Sequence, residues 1–181
     1  MRRVLLLLCL LIPTAIVAQA SEQPDWKTKV LQTIPLLGHR NWILVVDSAY
    51  PMQVASGIET IETNASLFDA VQFVLHAIDQ SVQVRPHIYM DSELPFVNDE
   101  DAPGASAYRS QIGALVGRYP QESLPHERII ANVDEAGKLF HVLVLKTNMT
   151  IPYTSVFIRL DCKYWSDDDE SRLRKRMGEL R

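Results

Sequence analysis

Four side chains in this sequence have the chemistry to move protons or bind hydroxyl groups: His39, Asp47, His126 and Tyr153. An imidazole titrates near neutral pH, so His39 is a candidate general acid or base. Asp47 follows an almost wholly apolar run, a place where a carboxylate rarely lies unpaired. His126 and Tyr153 each follow a proline in a predicted loop. Because loops favour function only weakly, these two are weaker candidates.

Each candidate also has a structural interpretation. His39 could fill a turn at a helix end, and Asp47 could cap the loop that follows its strand. Metal binding is a rival use of the histidines and the aspartate, but the sequence has no His-x-x-x-His or Glu-x-x-His spacing. It also has no Gly-x-Gly phosphate loop and no Gly-x-Ser-x-Gly elbow. Nucleotide binding and serine hydrolysis therefore have no local support.

The elements that must position these residues follow from the apolar pattern. Residues 42–47 predict a strand buried on both faces, with Asp47 at its carboxyl end. Carboxylates at such ends often line a ligand crevice. Further strands are predicted at residues 58–61, 87–90, 128–131, 140–145 and 155–160. Helices are predicted at residues 25–34, from Asn64 as a cap through Ile78, around residues 108–116, and at residues 133–139. This alternation predicts a single α/β domain, a mainly parallel sheet flanked by helices, over residues 21–165.

The two ends of the chain differ from this domain. Residues 1–20 have two arginines, an apolar stretch and a small-residue end, which fit a secretory signal peptide cleaved after Ala20. The apolar stretch is short for a membrane span, which needs about 20 residues. We therefore expect a periplasmic or secreted protein without a span after cleavage. Residues 166–181 place acids before bases, which predicts a charged helical tail, either docked or solvated.

Charge and cysteine content limit the partners. The formal net charge is −4, and it becomes −6 once Arg2 and Arg3 are removed with the signal peptide. A nucleic-acid partner usually needs a basic surface, so we expect none. One cysteine, Cys162, remains after cleavage, which leaves no intrachain disulfide.

A family resemblance rests on several segments. Residues 37–51 place a Leu-Gly turn before His39, then an apolar strand, Asp47 and Ala-x-Pro. This order resembles the opening motif of the ribose pyranase and fucose mutarotase family, small proteins that interconvert forms of free sugars. Residues 57–61, 126–128 and 152–158 are similar to later motifs of the same family, as is a helical Tyr-Arg pair at residues 108–109. The resemblance spans about residues 34–160.

The resemblance implies a role for each candidate. His39 matches the catalytic histidine, and Asp47, His126 and Tyr153 match sugar-contacting positions. Ser155 replaces the asparagine of the family's closing Tyr-x-Asn motif, and we expect it to contact the sugar in that asparagine's place. It also implies no cofactor, no metal, and a homo-oligomer with its pockets at subunit interfaces. We therefore predict an exported sugar mutarotase or pyranase-like isomerase. The alternative is a module of the same fold that binds a monosaccharide or a partner without turnover.

The spacing of His39 and Asp47 raises a geometric question. Asp47 lies eight residues after His39, and an extended chain of that length would span up to about 26–29 Å. Either the loops fold back on each other or two subunits build each site together. The family resemblance implies the second arrangement.

Overall fold

A computed structural model describes residues 25–179, so the predicted signal peptide lies outside the described residues. The strands are β1 Trp42–Val46, β2 Ile58–Glu62, β3 Val84–Asp91, β4 Gln121–Leu124, β5 Val142–Lys146 and β6 Val156–Cys162. The helices are α1 Trp26–Thr33, α2 Leu67–Gln80, α3 Ala105–Val116, α4 His126–Leu139 and α5 Asp167–Glu179.

The six strands form one sheet in the order β2-β5-β1-β6-β3-β4. Strand β1 pairs with β5 in parallel, as do β2 with β5 and β3 with β4, whereas β6 is antiparallel to both β1 and β3. Five strands therefore run in one direction, and their carboxyl ends share one edge of the sheet. This confirms the predicted α/β domain with a mainly parallel sheet.

The sheet has a buried core on each face. On one face α1, α2 and α3 pack over a large cluster that includes Ile43 and Val45 of β1. On the other face α4 packs over a smaller cluster that includes Trp42, Leu44 and Val46. Every residue of β1 is thus buried, as predicted for a central strand of a parallel sheet.

The prediction of a strand at residues 128–131 is wrong. These residues lie in α4, whose fourteen residues also include the predicted short helix at residues 133–139. Ile129, Val133 and Ala136 are buried at spacings of four and three, which is the period of a helix packed on a sheet. Packing of this stripe outweighs the strand preference of β-branched residues.

Two smaller elements also differ from the prediction. Helix α2 is capped by Ser66 and not by Asn64: the Ser66 hydroxyl accepts from the backbone N–H of Asp69 at 3.1 Å and donates to the Asp69 carboxylate at 2.7 Å. Strand β4 was not predicted, because three of its four residues are polar and exposed at the sheet edge.

The charged tail forms helix α5, as its order of acids and bases predicted. None of its described residues is buried, so in the single chain this helix is solvated. No helix within residues 25–179 is long and apolar enough to cross a bilayer.

Candidate functional site

A pocket of about 480 Å³ lies at the carboxyl edge of the sheet. Its wall consists of the loop after β1 at residues 47–51, the first residue of α4, His126, and residues 150–153 of the loop that leads into β6. The parallel arrangement explains this meeting, because strand ends that share an edge bring their loops together.

Asp47 lies at the end of β1 and is partly exposed. Its Oδ1 accepts from the backbone N–H of Ala49 at 2.9 Å, so the carboxylate caps the loop, as its structural interpretation proposed. Its Oδ2 accepts a hydrogen bond from the Ser155 hydroxyl at 3.0 Å. A carboxylate has about four lone-pair sites, so capacity remains for a ligand hydroxyl in the pocket.

Ser155 lies behind Asp47 and not in the pocket wall. It is 1% exposed, and its hydroxyl both donates to the Asp47 carboxylate and accepts from the Asp47 backbone N–H at 3.2 Å. The serine therefore fixes the orientation of Asp47. Its predicted contact with a substrate stays a prediction.

Two carboxylates at the end of β3, those of Asp91 and Glu93, hold His126 by its ring and by its backbone N–H. Its ring Nδ1 lies 3.1 Å from Oδ1 of Asp91, and its backbone N–H donates to the Glu93 carboxylate at 3.1 and 3.2 Å. The second contact satisfies one of the free N–H groups at the start of α4. The imidazole is therefore fixed in position beside the pocket.

Asp91 is a site residue that the sequence did not single out, as are Tyr50 and Glu93. It ends β3 as Asp47 ends β1, so the same rule about carboxylates at strand ends could have found it. Its side chain is 1% exposed. Burial raises the pKa of the Asp91 carboxyl to about 6, although the charge and hydrogen bond of His126 oppose this, and Glu93 and Asp47 raise it further.

Tyr153 forms the outer wall of the pocket. Its backbone φ is +59°, in the left-handed region that costs a non-glycine residue roughly 1–2 kcal/mol. Its ring stands edge-on to the imidazole of His126, with 5.7 Å between the ring centroids. Because the side chain is 40% exposed, its phenol is open to a ligand. The loop thus holds a strained residue at the pocket, a feature often found at binding sites.

Tyr50 forms a second aromatic part of the wall. It is 5% exposed, and its hydroxyl donates to the side-chain oxygen of Gln53 at 3.1 Å. Burial, reinforced by the carboxylates of Asp134, Asp47 and Asp91, raises the pKa of the Tyr50 phenol. Tyr50 is therefore a neutral, rigid part of the wall at physiological pH.

His39 is not part of this pocket. It precedes β1, at the opposite edge of the sheet, and lines a separate pocket of about 570 Å³ together with Arg85, His87 and Arg159. Strand β1 alone puts about 16 Å between its start and Asp47, at a rise of roughly 3.3 Å per residue. Within one chain the structure thus brings together Asp47, His126 and Tyr153, with His39 at the far edge. The catalytic role of His39 stays a prediction.

The pocket offers groups suited to proton transfer and hydroxyl binding. A carboxylate accepts hydrogen bonds, a phenol donates or accepts them, and an imidazole can take up and release a proton near neutral pH. No group of three or more histidine, cysteine, aspartate or glutamate side chains within residues 25–179 is placed to hold a metal ion.

Comparisons with known proteins show which fold this is. No protein-family model and no curated protein matches the chain. Among solved structures, RbsD of Bacillus subtilis complexed with D-ribose is 15% identical with a TM-score of 0.55, over 77% of this chain and 96% of that one. FucU from Bifidobacterium longum is 12% identical with a TM-score of 0.50, over 74% of this chain and 94% of that one. The chain therefore has an RbsD/FucU-like fold, in agreement with the resemblance of its motifs.

Proposed function

We propose that this protein binds a free monosaccharide in the pocket beside Asp47 and interconverts its anomers or ring forms. The observation that carries the proposal is the meeting of a carboxylate, an imidazole and a phenol, from Asp47, His126 and Tyr153, in one pocket at the carboxyl edge of the sheet. The fold, shared with an RbsD that was solved with D-ribose, adds support.

The pocket has the size and polarity that a monosaccharide needs. Its volume of about 480 Å³ lies within the usual range for small-molecule sites, roughly 300–1,000 Å³. The Asp47 carboxylate, already oriented by Ser155, would accept hydrogen bonds from sugar hydroxyls. Tyr153 would add a donor. Hydrogen bonds to hydroxyls select among sugars more strongly than apolar contacts do, because a wrong sugar leaves buried polar groups unpaired.

The reaction requires only proton transfer. A base removes the proton of the anomeric hydroxyl, an acid protonates the ring oxygen, and the bond between the anomeric carbon and the ring oxygen breaks. The open-chain aldehyde rotates and closes again as another anomer or ring size. Positioned acid–base groups contribute about 10²- to 10⁴-fold to such a rate.

In this proposal His39 supplies one of the protonating groups from a neighbouring copy of the chain. Its own pocket lies at the opposite edge of the sheet from Asp47, so one chain cannot bring the two together without refolding β1. A homo-oligomer that places the His39 edge of one copy against the Asp47 pocket of the next would complete the site. In this proposal the chain is cleaved after Ala20 and exported, as the signal-peptide pattern of residues 1–20 predicts, so the activity would be outside the cytoplasm.

A sugar-binding protein without turnover is the second candidate. It is favoured by two observations: the Ser155 hydroxyl is already engaged by Asp47, and the pocket of a single chain lacks His39. Both functions use the same pocket and differ only in whether bound sugar changes its form.

Saturation-transfer NMR separates the two functions. We would measure anomer exchange of D-ribose, L-fucose and D-galactose with the purified protein and with its His39→Ala variant. We expect at least one sugar to exchange about 10²-fold faster or more with the parent protein. His39→Ala should lose this acceleration and keep its circular-dichroism spectrum. Shifted sugar signals without faster exchange would support the binding protein, and the absence of both effects for every sugar would contradict either function.

A further inference from the structure

Asp91 is a buried carboxylate whose side chain has one hydrogen-bonding partner among the described residues. Its Oδ1 lies 3.1 Å from Nδ1 of His126, whereas its Oδ2 is buried without a partner. Asp47, by contrast, caps a loop and binds a serine. Asp91 caps no described backbone N–H, so structural stability does not explain why a carboxylate lies there.

The contact between Asp91 and His126 determines which ring nitrogen faces the ligand. An ionised carboxylate only accepts hydrogen bonds, so the Nδ1 of His126 carries the proton and donates it to Asp91. The other nitrogen, Nε2, then has a free lone pair and makes no hydrogen bond to a described residue. Because His126 lines the pocket, this nitrogen is the one available to a ligand.

We propose that His126 is the general base of this pocket and that Asp91 is the residue that positions its imidazole. This inference rests on the proposed function, and it moves His126 from a sugar contact to a reacting group. The arrangement follows the logic of a buried carboxylate that fixes the tautomer of a catalytic histidine and stabilises its charged form. Glu93 completes it, since its bond to the backbone N–H of His126 prevents the first turn of α4 from shifting.

In the ring-opening step, each proton that moves has a named donor and a named acceptor. Nε2 of His126 takes the proton of the anomeric hydroxyl, and the electron pair of that O–H bond forms the C=O bond of the aldehyde. The pair of the broken carbon–ring-oxygen bond stays on the ring oxygen, which takes a proton from the imidazolium of His39 of a neighbouring copy. Ring closure reverses both transfers, so the two histidines regain their starting states.

The groups around Asp91 determine how the pair responds to pH. Titratable or charged side chains from α3, α4, β4 and the loops after β1 and β3 surround Asp91: Asp47, Tyr50, Glu93, Tyr108, Arg109, Glu122 and His126. Protonation of the Asp91 carboxyl, whose pKa is about 6, removes the acceptor that keeps the Nδ1 tautomer. The rate of exchange should therefore fall as the pH drops through about 6.

Asp91→Asn tests the inference because it keeps the shape of the side chain and removes its charge. We expect kcat for anomer exchange to fall about 100-fold or more, with KM changed by less than about threefold. The matched control is Asp79→Asn, which removes a carboxylate bound to Arg118 and Tyr119 at the far end of α2. It should keep the parental rate.

A second measurement does not depend on a variant. Nitrogen-15 NMR of the parent protein at pH 8 should show His126 protonated at Nδ1 and not at Nε2. An active parent whose Asp91→Asn variant is equally active, or an Nε2–H tautomer in the parent, would overturn the inference and leave the proposed function intact. A parent protein that accelerates no sugar overturns the proposed function and this inference together.

Discussion

At the scale of the residue, the site contains two aspartates in opposite environments. Asp47 is partly exposed, and both of its carboxylate oxygens accept hydrogen bonds from the protein. Asp91 is buried, its side chain binds only His126 among residues 25–179, and that burial raises its pKa to about 6. Two carboxylates in different environments can have different roles in one site: one binds the ligand, and the other orients a neighbouring side chain.

The sequence identified one of these aspartates and missed the other for a physical reason. Asp47 ends a run that is apolar throughout, so its position at a strand end is plain. Six of the ten residues after Asp91 are polar or acidic and a proline lies among the rest, which predicts a loop. Its hydrogen-bonding partner, His126, begins α4, and the sequence did not predict α4 as one helix. Burial of a polar side chain is set by tertiary packing, which periodicity does not report.

The pKa of Asp91 predicts a pH-dependent effect of Asp91→Asn on stability. The folded-state pKa is raised, so ionisation costs the folded protein stability as the pH rises through about 6. Asparagine does not ionise and avoids this cost. From pH 4 to pH 8 the variant should gain up to about 3 kcal/mol of unfolding free energy relative to the parent protein. Urea unfolding of both proteins at the two pH values measures this, and a difference that stays constant with pH would contradict it.

At the scale of the element, the site depends on how α4 is held against the sheet. The backbone before β2 approaches the end of α4 closely: a Cβ on Gly57 would lie 2.3 Å from the carbonyl oxygen of Gly137 and 2.7 Å from that of Phe140. Neither carbonyl can move without moving the helix. This contact fixes the carboxyl end of α4, while Glu93 fixes its first residue, His126.

The accuracy of the sequence prediction differed among elements because their signals differ in strength. Strand β1 and helix α2 were predicted because a continuous apolar run and a long apolar stripe each allow one interpretation. Strand β4 has four residues, three of them polar, at the sheet edge, and the backbone hydrogen bonds that hold it leave no pattern in the sequence. Helix α4 was misread at Ile129 and Ile130, whose β-branched side chains favour strands locally.

Gly57→Ala tests the close approach of β2 and α4. The added methyl group would meet backbone atoms, so the unfolding free energy should fall by about 1–3 kcal/mol. Gly38→Ala is the matched control, because nothing lies within 4 Å of a Cβ at that position and its φ is not positive. Chemical denaturation of both variants measures the effect. Equal stability of the two variants would show that the helix end is not held in this way.

At the scale of the whole molecule, the sequence predicted the fold correctly. The pocket of a single chain, however, does not include every residue that was predicted to form the site. Alternating strands and helices were enough to predict the mainly parallel sheet, which the likeness to RbsD confirms. The parallel sheet also explains why Asp47, His126 and Tyr153 meet. The same geometry puts His39 at the opposite edge, since it precedes the strand that Asp47 follows. In the proposed shared site a neighbouring copy supplies His39, and one chain alone carries no signal of such a contribution.

The central claim, a sugar-isomerising pocket completed by a neighbouring copy, is tested most directly by mixing two inactive variants. We would measure the anomer-exchange rate of the responsive sugar with His39→Ala, with Asp47→Ala, and with an equal mixture of the two after subunit exchange. Each variant alone should be inactive. The mixture should regain roughly one quarter of the parental rate, because random assembly of a two-residue shared site restores about that fraction of intact pockets. A mixture as inactive as its components, beside an active parent protein, would contradict the shared site.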